Sequence, residues 1–129
     1  MIRVLGTVAV CGIVMLGMSS PALAARPKAP KAQLKVGIAV KGGSPTTVRL
    51  QCGPAGGTHP DARAACQLLE KVDGHPERLN VSPDAACTRE LQPHAVAIQG
   101  RWDGKKVRWG KVFDNACLVK AATGEVFTL

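Results

Sequence analysis

His94-Ala95-Val96-Ala97-Ile98-Gln99-Gly100-Arg101-Trp102-Asp103-Gly104-Lys105-Lys106-Val107-Arg108-Trp109-Gly110-Lys111-Val112-Phe113-Asp114 is the stretch that decides the fold. Val96, Ile98 and Trp102 fall on one side of an alternating run, and Val107, Trp109 and Phe113 on one side of the next. Period-two alternation of this kind marks a half-buried strand. Asp103-Gly104 between the runs is a strong hairpin signal, because both residues tolerate the positive φ that tight hairpin turns need. A two-residue and a four-residue turn both fit, so the register stays open. The pair predicts an antiparallel sheet.

Downstream, Asn115 can cap a short helix over Ala116–Ala122, which carries Cys117. Gly124 then leads into a predicted last strand, Glu125–Leu129. Upstream, Leu34, Val36, Ile38 and Val40 alternate, Lys41-Gly42-Gly43-Ser44-Pro45 reads as a turn, and Val48, Leu50 and Cys52 alternate again. These two strands pair as a hairpin. Gly53–Thr58 reads as loop. Pro60 suits the first turn of a helix, where its missing N–H costs nothing. Ala62, Ala65, Cys66, Leu69 and Val72 follow at helical spacing, and Asp73-Gly74 ends the run. Cys66 thus sits on an apolar helix face, within reach of Cys52. His59, just before Pro60, reads as a histidine satisfying backbone groups rather than as a ligand or base. His75–Ala86 reads as loop, with one helical turn around Pro76–Leu79. Five strands and two helices, with the strands mostly consecutive, give an α+β fold: an antiparallel sheet with helices on one face.

The first residues read differently. Arg3, an apolar run from Val4 to Met18 and Pro21-Ala22-Leu23-Ala24 form a secretory signal pattern over residues 1–24, with cleavage after Ala24 or Ala25. Residues 25–33 are Pro- and Lys-rich and read as a flexible arm before a domain over 34–129. The apolar run is too short to span a bilayer. Losing the signal removes Cys11, so five cysteines become four, and removes one positive charge, so +8 becomes about +7. Four cysteines in a small secreted domain read as two disulfides, and sequence alone permits three pairings. Adjacent pairing would close loops of about 15 and 31 residues, each worth on the order of 3–4 kcal/mol.

The basic balance raises nucleic acid and membrane surfaces as partners. Dispersed cations, no tyrosine and only two Trp and two Phe argue against a base-stacking platform. We therefore expect neither partner. No nucleophile-elbow pattern or paired-acid motif is present, and no C-x-x-C or H-x-x-x-H spacing, so an enzyme, a metal site and a cofactor are not expected.

The candidate functional segment lies before the decisive hairpin: Ala86, then Cys87-Thr88-Arg89-Glu90-Leu91-Gln92-Pro93. A basic residue sits two positions after a cysteine and four before a proline. A disulfide at its start and a fixed φ at its end would stiffen it. It reads as an exposed protease-binding loop. The competing reading is a secreted, disulfide-stabilised binding or carrier module.

Cys52-Gly53-Pro54-Ala55-Gly56-Gly57-Thr58-His59-Pro60 with Ala65-Cys66, and Trp102-Asp103-Gly104-Lys105-Lys106-Val107 with Val112-Phe113-Asp114-Asn115-Ala116-Cys117, resemble the signature of the Streptomyces-type subtilisin inhibitors. The likeness runs from about Leu34 to Leu129. It implies adjacent disulfides, Cys52–Cys66 and Cys87–Cys117. It also implies a five-stranded antiparallel sheet with two helices, and a homodimer packed through sheet faces. It places a reactive bond between Arg89 and Glu90. The Arg89 guanidinium suits a carboxylate in a trypsin-like pocket and its stem a broader subtilisin-like one, so serine proteases of both types are the expected partners. Gln67 departs from the small or acidic residue usual after the second cysteine. Thr88 and Leu91 depart from members with Pro before the specificity residue and Tyr two after it.

Overall fold

The computed structural model describes residues 29–129. The signal pattern over 1–24, and residues 25–28 of the arm, lie outside the described residues. The chain forms β1 (Ala32–Val40), β2 (Thr46–Cys52), β3 (Gly56–Gly57), α1 (Ala62–Lys71), β4 (His94–Trp102), β5 (Lys105–Phe113) and α2 (Ala116–Thr123). The sheet order is β3-β2-β1-β4-β5, with every pairing antiparallel.

The hairpin at 94–114 forms as its alternation demands, and the register resolves to the two-residue turn, with Trp102 opposite Lys105. Asp103 and Gly104 both take positive φ, 50° and 77°. That conformation matches the twist of the flanking strands. β1 starts at Ala32, ahead of Leu34, because Lys31 is already fixed: its N–H donates to the Gly53 carbonyl, and its carbonyl accepts from Asp103 N–H at 2.8 Å.

One face of the sheet is covered. Leu34, Val36, Leu50, Val96 and Ile98 pack with Ala65 and Leu69 of α1, Val119 of α2, and Val126 and Phe127. Trp102 closes the lower end of this core, 3% exposed. Its ring lies flat on Gly74, whose φ of +73° and missing Cβ make the approach possible.

Three local expectations need correction. The fifth strand is Gly56–Gly57 within the expected loop, paired to Gln51 and Leu50 on the edge of β2. Two glycines carry no alternation, so nothing in the pattern signals it. The expected strand over Glu125–Leu129 is instead a 3-10 turn, Gly124–Phe127. Val126 and Phe127 are consecutive and both buried, which a strand with one covered face cannot provide. Pro60 is not in the first turn of α1: the helix is capped one residue later by Asp61, whose Oδ1 accepts from Ala64 N–H.

His59 explains part of the turn's placement. Its Nδ1 accepts from Asp61 N–H at 2.9 Å, which leaves Nε2–H to donate to the Val126 carbonyl at 2.9 Å. A 7% exposed histidine with both nitrogens engaged is a structural brace, as its sequence context suggests.

Both disulfides pair adjacent cysteines, Cys52–Cys66 with Cα atoms 5.5 Å apart and Cys87–Cys117 with Cα atoms 5.7 Å apart. Among the described residues no helix is long and apolar enough to cross a membrane.

Candidate functional site

Among the described residues, Val72 to Pro93 is the longest connection, and it holds only one 3-10 turn, Pro76–Arg78. Connections of this length inside a compact domain are usually functional. Its first part is tied to the end of α2, where Val81 and Ser82 N–H donate to the Ala122 and Ala121 carbonyls at 3.1 and 2.7 Å. Its second part is the Ala86–Pro93 segment, which has no regular secondary structure.

The first turn of α2 holds this second part. Asn115 caps the helix in an extended conformation, and its Oδ1 accepts from Leu118 N–H at 3.0 Å. That contact fixes which end of the amide faces the loop. Nδ2 donates to the Thr88 carbonyl at 3.1 Å and the Glu90 carbonyl at 2.9 Å, the two carbonyls that bracket Arg89. Two positions further along α2, Cys117 bonds Cys87. On the far side of Arg89, Gln92 N–H donates to the Asp114 carbonyl at 2.7 Å. His94 Nδ1–H donates to the Gln92 carbonyl at 2.6 Å, and the Pro93 carbonyl accepts from Lys41 N–H at 2.9 Å. The backbone from Cys87 to Pro93 is therefore gripped at every second residue or closer, all from the helix cap and the strand ends.

The side chains are the opposite. Thr88, Arg89, Glu90, Leu91 and Gln92 are all exposed, Leu91 at 74%. None of these side chains has a hydrogen bond or ion pair among the described residues. Cys87 and Pro93 are half-buried, as suits anchors, and Ala86 is exposed. The backbone of the segment is held while its side chains are free. No group of three or more His, Cys, Asp or Glu able to hold a metal occurs among the described residues.

A family model described as subtilisin inhibitor-like matches residues 31–115. The chain belongs to the subtilisin inhibitor-like family. It is 50% identical over 80 residues to the subtilisin inhibitor of Streptomyces violaceus, a match covering 60% of this chain and 55% of that protein. It is 40% identical over 82 residues to subtilisin inhibitor-like protein 5 of Streptomyces fradiae, covering 63% and 77%. With the subtilase-type protease inhibitor of Streptomyces coelicolor it shares 40% identity, over 63% of this chain and 57% of that one. Two of these three relatives are thus matched over little more than half their length. Among solved structures, Streptomyces caespitosus sermetstatin in complex with Bacillus licheniformis subtilisin aligns with a TM-score of 0.61 and 30% identity. That alignment covers 76% of this chain and 98% of the other. The family's description and these relatives' names are those of inhibitors, not enzymes.

Within the subtilisin inhibitor-like fold, the sequence identifies Cys87, Cys117 and Pro93 as loop anchors but gives Asn115 only its role as a cap. A cap needs an acceptor alone, which Ser or Asp also supplies. The amide N–H₂ of asparagine is surplus to capping, and that surplus is the one signal in the sequence for its second task.

Proposed function

We propose that this chain is a secreted inhibitor of serine proteases that presents Thr88–Gln92 as a preformed substrate, with Arg89–Glu90 as the scissile bond. The observation that carries the reading is the double grip of Asn115 on the carbonyls either side of Arg89, beside the Cys87–Cys117 bridge, while the Arg89 side chain stays free.

A serine protease binds its substrate as an extended strand and attacks one carbonyl. Here the ordering of that strand is completed when the domain folds, so little entropy is lost on binding. The attacked carbonyl is that of Arg89, which Asn115 leaves unengaged. After attack, the new amine on Glu90 stays near the acyl carbon, because the Glu90 carbonyl and Gln92 N–H remain tied to Asn115 and Asp114. Religation then competes with hydrolysis. The Arg89 guanidinium can form a bidentate contact with a carboxylate at the base of a trypsin-like pocket. A subtilisin-like pocket is broader and would take mainly the aliphatic stem, leaving affinity to the loop backbone. Glu90 and Leu91 would face the enzyme on the leaving side.

Titration of the oxidised protein against trypsin and subtilisin tests the reading, with tight stoichiometric inhibition of both expected. An anchor of this kind is worth on the order of 2–4 kcal/mol, so Arg89→Ala should weaken trypsin inhibition about thirty-fold or more and subtilisin inhibition much less. Undiminished trypsin inhibition by Arg89→Ala would reject Arg89 as the specificity residue. Inertness of the wild type toward both enzymes would favour a carrier module.

Two further features fit this reading. The signal pattern over 1–24 and the two disulfides suit an oxidising, extracellular setting. The outward face of the sheet has an uncharged half formed by Gly37, Ala39, Ala95, Ala97, Gly110 and Val112, the last 64% exposed. That half suits a second copy of the chain, giving a homodimer through sheet faces.

A further inference from the structure

The other half of the outward sheet face is strongly basic, and no part of the inhibitory reading uses it. Two neighbouring cross-strand rows make it up. In one, Arg49 lies opposite Lys35, Lys35 opposite Gln99, and Gln99 opposite Arg108. In the next, Gln33 lies opposite Arg101 and Arg101 opposite Lys106. All seven residues are exposed. Between the rows lies a shallow depression whose polar lining is Gln33, Lys35, Gln99, Arg101, Lys106 and Arg108, each able to donate hydrogen bonds, beside Leu34, Gly100 and Val107.

Lys35 directly faces Arg49, and Arg101 directly faces Lys106, and like charges placed opposite one another destabilise a sheet. Arg101 makes one hydrogen bond, to the Gly104 carbonyl at 3.3 Å. Among the described residues none of these cations has an ion pair. Nor can residues 1–28 neutralise them, since that stretch contains no Asp or Glu. A face that accepts such repulsion and carries five cations and no acid matches a ligand that supplies many negative oxygens.

We infer that this depression binds a linear inorganic phosphate polymer. Two pairs of the face's cations, Lys35 with Arg49 and Arg101 with Lys106, stand on adjacent strands about 4.8 Å apart, which suits a chain with closely repeated charges laid across the strands. The outward residues of these strands include no aromatic ring, so a nucleic acid would gain no stacking there. The cations line a depression instead of ringing an apolar tip, which favours a chain over a bilayer surface. The inference stands apart from the inhibitory loop, and its test leaves that loop untouched.

The test titrates the full-length, oxidised protein with medium-chain inorganic polyphosphate. Saturable binding is expected, with a log–log salt slope of about −3, as four to five neutralised phosphates imply for a single-stranded polyanion. Amide chemical shifts should move on the outward residues of β1, β4 and β5. The quadruple variant Lys35→Gln, Arg101→Gln, Lys106→Gln, Arg108→Gln should lose at least tenfold in affinity and keep the wild-type fold, since it removes like-charge contacts. A charge-matched variant on the opposite side, Arg63→Gln, Lys71→Gln, Arg78→Gln, Lys120→Gln, should bind as wild type. Equal losses in the two quartets, or shifts centred on α1 and α2, would overturn the inference. So would tighter binding, at equal phosphate, to a single-stranded oligonucleotide or to phosphatidylglycerol vesicles.

Discussion

Replacing Asn115 with aspartate separates the two tasks of one side chain. Aspartate caps a helix as well as asparagine does, and its charge suits the helix N-terminus. The contact from Leu118 N–H, 3.0 Å in the wild type, is therefore kept. What disappears is the amide N–H₂, which holds the Thr88 and Glu90 carbonyls at 3.1 and 2.9 Å. In its place a carboxylate oxygen faces two carbonyl oxygens. Each lost hydrogen bond is worth about 1 kcal/mol net. Together they release about 2 kcal/mol of restraint, close to thirty-fold in an equilibrium or rate ratio. The Cys87–Cys117 bridge and the Gln92–Asp114 hydrogen bond persist, so the segment loosens without leaving the domain. Asn115→Asp should keep the wild-type fold, with a melting temperature lower by roughly 10 °C, as 2 kcal/mol implies for a domain of this size. Its inhibition of subtilisin and trypsin should weaken roughly thirty-fold, and the Arg89–Glu90 bond should be hydrolysed faster by a similar factor. Inhibition progress curves give the first quantity, and mass spectrometry of the cleaved chain gives the second. Asn115→Ala, which also loses the cap, should additionally lose about 1 kcal/mol of stability. Wild-type inhibition and cleavage rates in Asn115→Asp would refute the idea that this amide sets the working shape of the loop.

Three other outcomes follow from the fold. Replacing Cys87 and Cys117 together with serine opens a loop of 30-residue separation. It should lower unfolding free energy by about 3–4 kcal/mol, read from urea denaturation, and turn the segment into an ordinary substrate cut at Arg89. Persistent resistance to cutting would show that the hydrogen bonds suffice. Gly74→Ala puts a methyl into the Trp102 ring at a φ of +73°. It should cost about 3 kcal/mol, and an unchanged urea midpoint would contradict the packing at that end of the core. Ala97→Arg places a charge in the uncharged half of the outer face. Sedimentation is expected to show a dimer for the wild type, as proposed above, and a monomer for the variant; a dimer that survives must use another surface.

The parts of the fold legible in the sequence are those encoded by local periodicity. The strands around Val36, Leu50, Ile98 and Trp109 and the helix carrying Cys66 all bury one side, and alternation or helical spacing records that. The register of the 94–114 hairpin was not legible, because Asp103-Gly104 suits turns of two lengths and only the pairing of Trp102 with Lys105 separates them. The C-terminal segment misleads because Val126 looks like one beat of an alternation. Its burial next to Phe127 depends on His59, which lies 67 residues earlier and holds the Val126 carbonyl. In the candidate site, the anchors that announce themselves are covalent or stiff: Cys87, Cys117 and Pro93. The grip of Asn115 depends on carbonyls 27 and 25 residues upstream, and a backbone carbonyl has no letter in a sequence.

The division of labour at Cys87–Pro93 has a consequence for how such a molecule changes over generations. Every restraint on the segment is applied to main-chain atoms or to its terminal cysteine and proline. The four side chains from Thr88 to Leu91 support nothing else in the domain. They can be exchanged like the bit of a drill while the chuck stays closed. In the inhibitory role proposed above, a lineage confronted with a new enzyme could retune these residues one letter at a time, with the restraints on the loop unchanged.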